Sequence, residues 1–220
     1  MASINVNRQG LAVGDATSYN FAQARGFAAA SVNDGISSTG NVQYFSSAGR
    51  GGGVKRMMRA FLHFDTSSIT TSLASAQIKV DGHVSSPDPN DSILVKSTAF
   101  GGDGGTALAV TDFVLIDFSV PYSAELTTWS TGFNYYQLTS QALVDIKTND
   151  NFTVAIVEHD SDFANSDQGD GAYDISINFA ATITLDVFTG YSNTVNGVGT
   201  ANIGKINGVA TGNISKVNGI

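Results

Sequence analysis

The clearest pattern in the chain lies between residues 175 and 187. There Ile175, Ile177, Phe179, Ala181, Ile183, Leu185 and Val187 alternate with Ser176, Asn178, Ala180, Thr182, Thr184 and Asp186. A period of two puts the first set on one face of an extended chain, whereas a helix would scatter it around its circumference. The run predicts one long, half-buried antiparallel strand. Ala60, Leu62 and Phe64 repeat the pattern against Phe61, His63 and Asp65, and Ile78 and Val80 against Gln77, Lys79 and Asp81. Residues 93–96, 113–118 and 152–157 are rich in β-branched and aromatic side chains, and 42–45 and 133–136 more weakly so. All five predict further strands.

Turn-forming clusters at 49–53, 85–91, 101–105 and 149–151 separate these runs, and 101–105 reads as a hairpin. Only two stretches read as helices. Residues 140–148 follow a cap signal and place Leu143 and Ile146 on one face, and 20–30 is rich in alanine. Many short strands with glycine- and aspartate-rich punctuation predict an all-β fold, a jelly-roll β-sandwich over residues 1–190.

The character changes in the C-terminal extension, residues 191–220. Thr194-Val195-Asn196-Gly197-Val198 returns as Lys205-Ile206-Asn207-Gly208-Val209 and again as Lys216-Val217-Asn218-Gly219-Ile220, a period of eleven residues. Such a period can belong to a right-handed helical coil. Glycines in every copy argue against it, since each costs a helix about 1 kcal/mol. Asn-Gly pairs accept positive φ and make tight turns, so short strands joined by turns are expected. Repeats bury their apolar side against a neighbouring copy and need about three to stand alone. Val195, Val198, Ile203, Ile206, Val209, Ile214, Val217 and Ile220 are therefore the expected assembly residues. They would lie against the sandwich, intertwine with tails of sister chains, or dock on another protein; a plain flexible tail is the competing reading.

Composition narrows the classes. The 220 residues suit one large domain with an appendage, and 42% apolar content supports a core. Charged residues are only 14%, against roughly 25% in an ordinary soluble domain, so Gly, Ser, Thr and Asn carry the polar surface. Absence of cysteine excludes disulfides, thiolate metal sites and cysteine nucleophiles. A net charge of -8 argues against nucleic-acid and anionic-membrane partners. No apolar stretch is long enough to span a bilayer, and no signal-peptide pattern opens the chain.

Two stretches resemble known families. Arg59-Ala60-Phe61-Leu62-His63-Phe64-Asp65-Thr66-Ser67-Ser68-Ile69, followed by Ser75-Ala76-Gln77-Ile78-Lys79-Val80, resembles the signature of carbohydrate-binding-module-like jelly rolls of the DNRLRE type. That resemblance implies a fold, with these residues filling the core and shaping a turn, and it transfers no ligand contact. Residues 193–220 resemble the Asn-Ile-Gly-Lys-Val-Asn-Gly-Val-Ala-Thr repeats at the C-termini of phage structural proteins. This second resemblance implies assembly on a virion, as a decoration or fibre component.

Candidate chemistry is sparse. The chain has no nucleophile elbow, P-loop or dinucleotide fingerprint. His63, His83 and His159 lack metal-triad spacing and are expected as solvent-facing positions at strands. Asp160, Asp162, Asp167 and Asp170 cluster in one loop and form a candidate Ca²⁺ site, although their spacing matches no defined calcium loop and a solvated acidic loop competes. Arg50, Lys55, Arg56 and Arg59 form a basic cluster that could dock on an acidic neighbour. Stems lying over the sheet are the alternative. Trp129, Tyr135 and Tyr136 could stack on sugar rings or fill the core.

The resulting expectation is a non-enzymatic virion structural protein without a cofactor, displayed on a particle surface or appendage. It would assemble through the tail with sister subunits, a trimer first among the possibilities, or with other virion proteins. A carbohydrate-binding adhesin recognising host-surface glycan is the alternative, and a glycan hydrolase or lyase the third reading.

Overall fold

The structure, a computed structural model, describes residues 2–17, 20–26, 29, 31–49, 53–84, 91–189, 205–206 and 209–210. The first half of the chain contributes β1 (Ala2–Asn5), β2 (Arg8–Thr17), α1 (Phe21–Gly26), β3 (Ser31–Asp34), β4 (Thr39–Ser47), β5 (Val54–Asp65), β6 (Ser75–Val84) and β7 (Ser92–Ser97). A 3₁₀ helix (Val110–Val114), β8 (Ile116–Pro121), β9 (Gly132–Gln137), α2 (Ser140–Thr148) and β10 (Asn151–Glu158) follow. A π-helical turn (His159–Phe163), β11 (Gly171–Asn178) and β12 (Thr184–Phe188) complete the body. Two short strands, β13 (Lys205–Ile206) and β14 (Val209–Ala210), lie in the repeat region. The body is an all-β sandwich of the jelly-roll-like kind, with every described pairing antiparallel. Among the described residues no helix is long and apolar enough to cross a membrane.

Strand order runs β1-β12-β6-β11-β4-β5-β10-β7-β8, with β2 beside β5, β3 beside β2, and β9 beside β6. The strand β5 has three neighbours. It pairs with β2 from Arg8↔His63 to Thr17↔Val54 along one edge. Its other edge is shared: β4 pairs up to Gln43↔Met58, and β10 takes over from Ile156↔Ala60. Arg59 therefore sits at a fork in the sheet.

The alternation of β5 buries both of its faces. Ala60, Leu62 and Phe64 join Leu94, Val154 and Ile156 against Ile78, Val80, Ile175, Ile177, Leu185 and Val187 in the main core. The opposite set, Met57 and Phe61 with Ala12, Tyr44, Ile93, Val95, Ala155 and Val157, packs under Ala99, Phe100, Leu108 and Phe113 in a second cluster. Segment 98–109 and the 3₁₀ helix supply that cover. Strand β10, buried from Phe152 to Glu158 with Thr153 its one polar residue before Glu158, is covered on both faces.

Several expected elements are modified. The predicted strand 175–187 is interrupted, because the Asn178 side chain accepts from the Ala180 N–H (3.2 Å) and its carbonyl from the Ala181 N–H (3.2 Å). Alternation persists across the break because Ile177, Phe179, Ile183 and Leu185 all face the same core. The predicted strand 113–118 begins only at Ile116. Before it, the Asp112 carboxylate accepts from the N–H groups of Phe100 and Ala109, both at 3.1 Å, and fixes the 3₁₀ turn. Residues 101–105 accordingly belong to a long connection between β7 and β8 instead of a tight hairpin. The alanine-rich stretch is helical over Phe21–Gly26, and the Ala29 N–H donates across to the Val110 carbonyl (2.9 Å). Helix α2 spans the predicted residues, and Thr139 caps it by accepting from the Ala142 N–H (3.4 Å).

In the extension, Lys205 pairs with Ala210 and Ile206 with Val209. Val195, Val198, Ile203, Ile214, Val217 and Ile220, and Arg50 of the basic cluster, lie outside the described residues.

The doubly covered sheet makes a direct prediction. Phe61→Ala should destabilise the protein by about 3–5 kcal/mol, as much as Phe64→Ala in the main core. Urea unfolding measures both, and a loss below about 1 kcal/mol at position 61 contradicts the second core.

Candidate functional site

Strand alternation sends Lys55, Met57, Arg59 and Phe61 to the face covered by the second cluster, and this decides the fate of the basic patch. Arg59 is fully buried (0% exposed). Its Nε and Nη2 donate to the two carboxylate oxygens of Asp162 at 2.6 and 2.7 Å. Nη1 donates to the Phe113 carbonyl (2.6 Å) and Nη2 also to the Arg25 carbonyl (3.0 Å), while the guanidinium lies 3.9 Å from the centre of the Phe113 ring. Arg25 closes the group, donating from Nε to the Asp162 carbonyl (2.7 Å) and stacking over Phe118 at 4.1 Å. The expected outward patch therefore loses Arg59. Lys55 donates to Asp167 (2.6 Å), Tyr44 (3.0 Å) and Ser46 (3.2 Å), and Arg56 is partly buried on the other face of β5.

The acidic loop is likewise divided among internal partners. Asp162 serves the two arginines, Asp167 accepts from Lys55 and the Tyr44 hydroxyl, and Asp170 accepts from the Ser46 hydroxyl (3.1 Å). The four aspartates do not converge as the calcium expectation requires. Burial works against the charge of Asp167, yet the Lys55 and Tyr44 hydrogen bonds outweigh it and hold that carboxyl below its ordinary value. Glu158, at the end of β10, organises the turn. Its carboxylate accepts from the N–H groups of Asp160 (2.9 Å), Ser161 (2.6 Å) and Asp162 (3.2 Å). Burial still pushes the Glu158 carboxyl up, against these donors.

Asp160 alone of the four joins a set of convergent ligand atoms. With Glu125 and His159 its donor atoms lie within 4.8 Å of one another. His159 Nδ1 is 3.0 Å from Asp160 and 3.3 Å from Glu125. Asp91 adjoins them, its carboxyl raised by burial, by the charges of Asp160 and Glu125, and by a hydrogen bond with Glu125. Imidazole with carboxylates suits a borderline divalent ion better than calcium, which prefers oxygen ligands throughout. These separations are equally those of ordinary ion pairs on a protein surface.

The aromatic candidates separate by strand face. Trp129 is 5% exposed and donates from its indole nitrogen to the Ser176 carbonyl (3.2 Å), against the ring of Tyr136. Tyr136 is buried, its hydroxyl paired with that of Ser92 (2.7 Å), and burial raises the phenol well above its usual range. Neither offers a ring face to a sugar. Tyr135 is 42% exposed, and Phe133, two residues away on the same face of β9, is 56% exposed. Sequence reasoning named Tyr135 but missed Phe133, because alternation with polar Asn134 points an apolar ring inward, whereas the structure buries Asn134. Lys79 lies 4.7 Å over the Phe133 ring, and Gln137 donates to Gln77 (2.7 Å) in the same outer face of β6 and β9. Asn178 donates to Asp81 at its end (2.8 Å).

Two open depressions occur elsewhere among the described residues. One, of about 310 Å³, lies between Lys96–Thr98 and Val114–Asp117, and the other, of about 250 Å³, between Val6–Gln9 and Asp34–Ser37. Neither includes the Glu125–His159–Asp160 group. No known protein-family model matches the chain, and no curated protein matches it.

The buried ion pair yields the prediction here. Asp162→Asn should cost about 3–5 kcal/mol in urea unfolding, because it leaves the Arg59 charge buried and uncompensated. Replacing both partners by apolar residues, Arg59→Met with Asp162→Leu, should cost less than the single change. Stability within about 1 kcal/mol of wild type for Asp162→Asn contradicts the role assigned to the pair.

Proposed function

We propose that the protein is a non-enzymatic structural subunit of a virus particle, a decoration, cement or fibre component that assembles through its C-terminal repeats. The observation that carries this reading is the antiparallel pairing of Lys205–Ile206 with Val209–Ala210 within one repeat copy. A lone two-stranded unit is marginal in water, so its apolar positions need cover from another copy, another chain or the sandwich. The virion setting rests on the resemblance of the repeats to those of phage structural proteins. Sister subunits, as a trimer, or other particle proteins are the partners in this reading, with neither nucleic acid nor membrane involved. A net charge of -8 favours that exclusion.

A glycan-binding role is the second reading, and the exposed Phe133 and Tyr135 on β9 favour it. Two rings on one face beside Gln77 and Gln137 offer a stacking surface and amides to a polyhydroxylated ligand.

Deleting residues 193–220 should leave the circular dichroism of the sandwich unchanged and abolish oligomerisation or particle attachment, as read by light scattering and particle binding. Normal assembly without the tail defeats the first reading. On a glycan array, Phe133→Ala with Tyr135→Ala should remove any binding while Trp129→Phe spares it in folded protein; binding indifferent to the β9 pair defeats the second.

A further inference from the structure

We propose that segment 98–109 is an acid-released flap, latched closed by the neutral imidazole of His63. His63 was expected to face solvent, yet it is fully buried, on the β5 face that carries Arg59 and Phe61. Its Nδ1 lies 2.7 Å from the Asn7 side-chain oxygen, an acceptor, which assigns the proton of the neutral ring to Nδ1. Nε2 is then a buried lone pair, and no group among the described residues meets it in hydrogen-bond geometry.

The flap closes directly on this ring. Gly104 adopts φ +76°, and a Cβ there would stand 2.6 Å from the imidazole, so only glycine fits. Arg8 Nε holds the same residue by donating to its carbonyl (2.9 Å). Further along, Leu108 seats on Gly10 of β2, where a Cβ would come within 2.6 Å of its side chain, and its N–H donates to Asp34 (2.9 Å). Opening would uncover Phe100 and Leu108, both buried in the second cluster.

Protonation of His63 would place a second N–H and a charge at Nε2 where the closed flap provides no acceptor. Among the described residues the charged groups around the ring are Asp65 on its own strand, Asp103 in the flap and Arg8 on β2, and the Asn151 side chain from β10 favours the charged ring. Burial acts most strongly and, with Arg8, outweighs Asp65, Asp103 and Asn151, so the closed state holds the imidazole less basic than usual. With the flap open, hydrated His63 regains an ordinary pKa of about 6.5. Closure is therefore fully favoured above that pH and weakens as pH falls below it. The limit is about tenfold in the opening equilibrium per pH unit, until the closed-state ring itself protonates.

Amide hydrogen exchange on the full chain at pH 7.5 and 5.0, corrected for intrinsic rates, tests this. The opening constant of 98–109 should rise at pH 5.0, by up to about thirtyfold, while residues 152–157 keep their protection. Removing His83 and His159 should preserve the response, and His63→Gln should flatten it. Should His63→Gln fail to fold, the His63 ring resonances of the wild type decide. A ring that titrates near its ordinary value, or flap protection equal at the two pH values, overturns the proposal.

Discussion

Arg59 and Asp162 lie 103 residues apart in sequence and meet where the sheet divides. On one side of Arg59 the strand β5 pairs with β4, and on the other with β10. Asp162 follows β10 in the turn capped by Glu158, so the ion pair fastens one branch of the fork to its stem. The same guanidinium reaches the carbonyls of Phe113 and Arg25, bringing the 3₁₀ helix and α1 onto the sheet. Desolvating two charges is costly, and apolar residues of similar volume would stabilise the core at least as well. What the pair adds is direction: the observed arrangement of turn, helix and strand brings both charges their partners.

That arrangement explains why a chain with few charged residues supports two clusters in place of one. The main core lies between the sandwich layers and follows from strand alternation. The second needs cover from segments without a period of their own, and each is held by a polar contact. Asp112 fixes the 3₁₀ helix, Arg59 draws in α1 and the π-helical turn, and Arg8 holds Gly104 by its carbonyl. Polar groups that resembled surface chemistry in the sequence are thus spent largely inside the fold.

The parts of the fold governed by local pattern were legible. Strands around Leu62, Ile78 and Val154 declared themselves by alternation or β-rich composition, and α2 by its cap at Thr139. The turn at 178–182 was hidden because Ala180 and Ala181 continue the alternation while the Asn178 side chain ends the strand. Burial of Arg59, His63 and Trp129 depends on residues far away in sequence, and no local period encodes a second cover. Exposure of Phe133 was not readable, since its alternation with polar Asn134 points the ring inward, and only the bonds of Asn134 to Ser130 and Gly132 let the amide take the buried face. The repeat was plain in the sequence, yet most of its apolar positions fall outside the described residues.

The fork at Arg59 also bears on how this chain tolerates change in length. A strand with one neighbour can slip by a residue and lose only that edge. β5 answers to β2, β4 and β10 together, so one inserted residue before the fork would leave three registers in conflict and turn Met57 toward the wrong layer. Length variation in relatives of this sandwich should therefore gather in its connections, leaving this strand with a fixed count of residues.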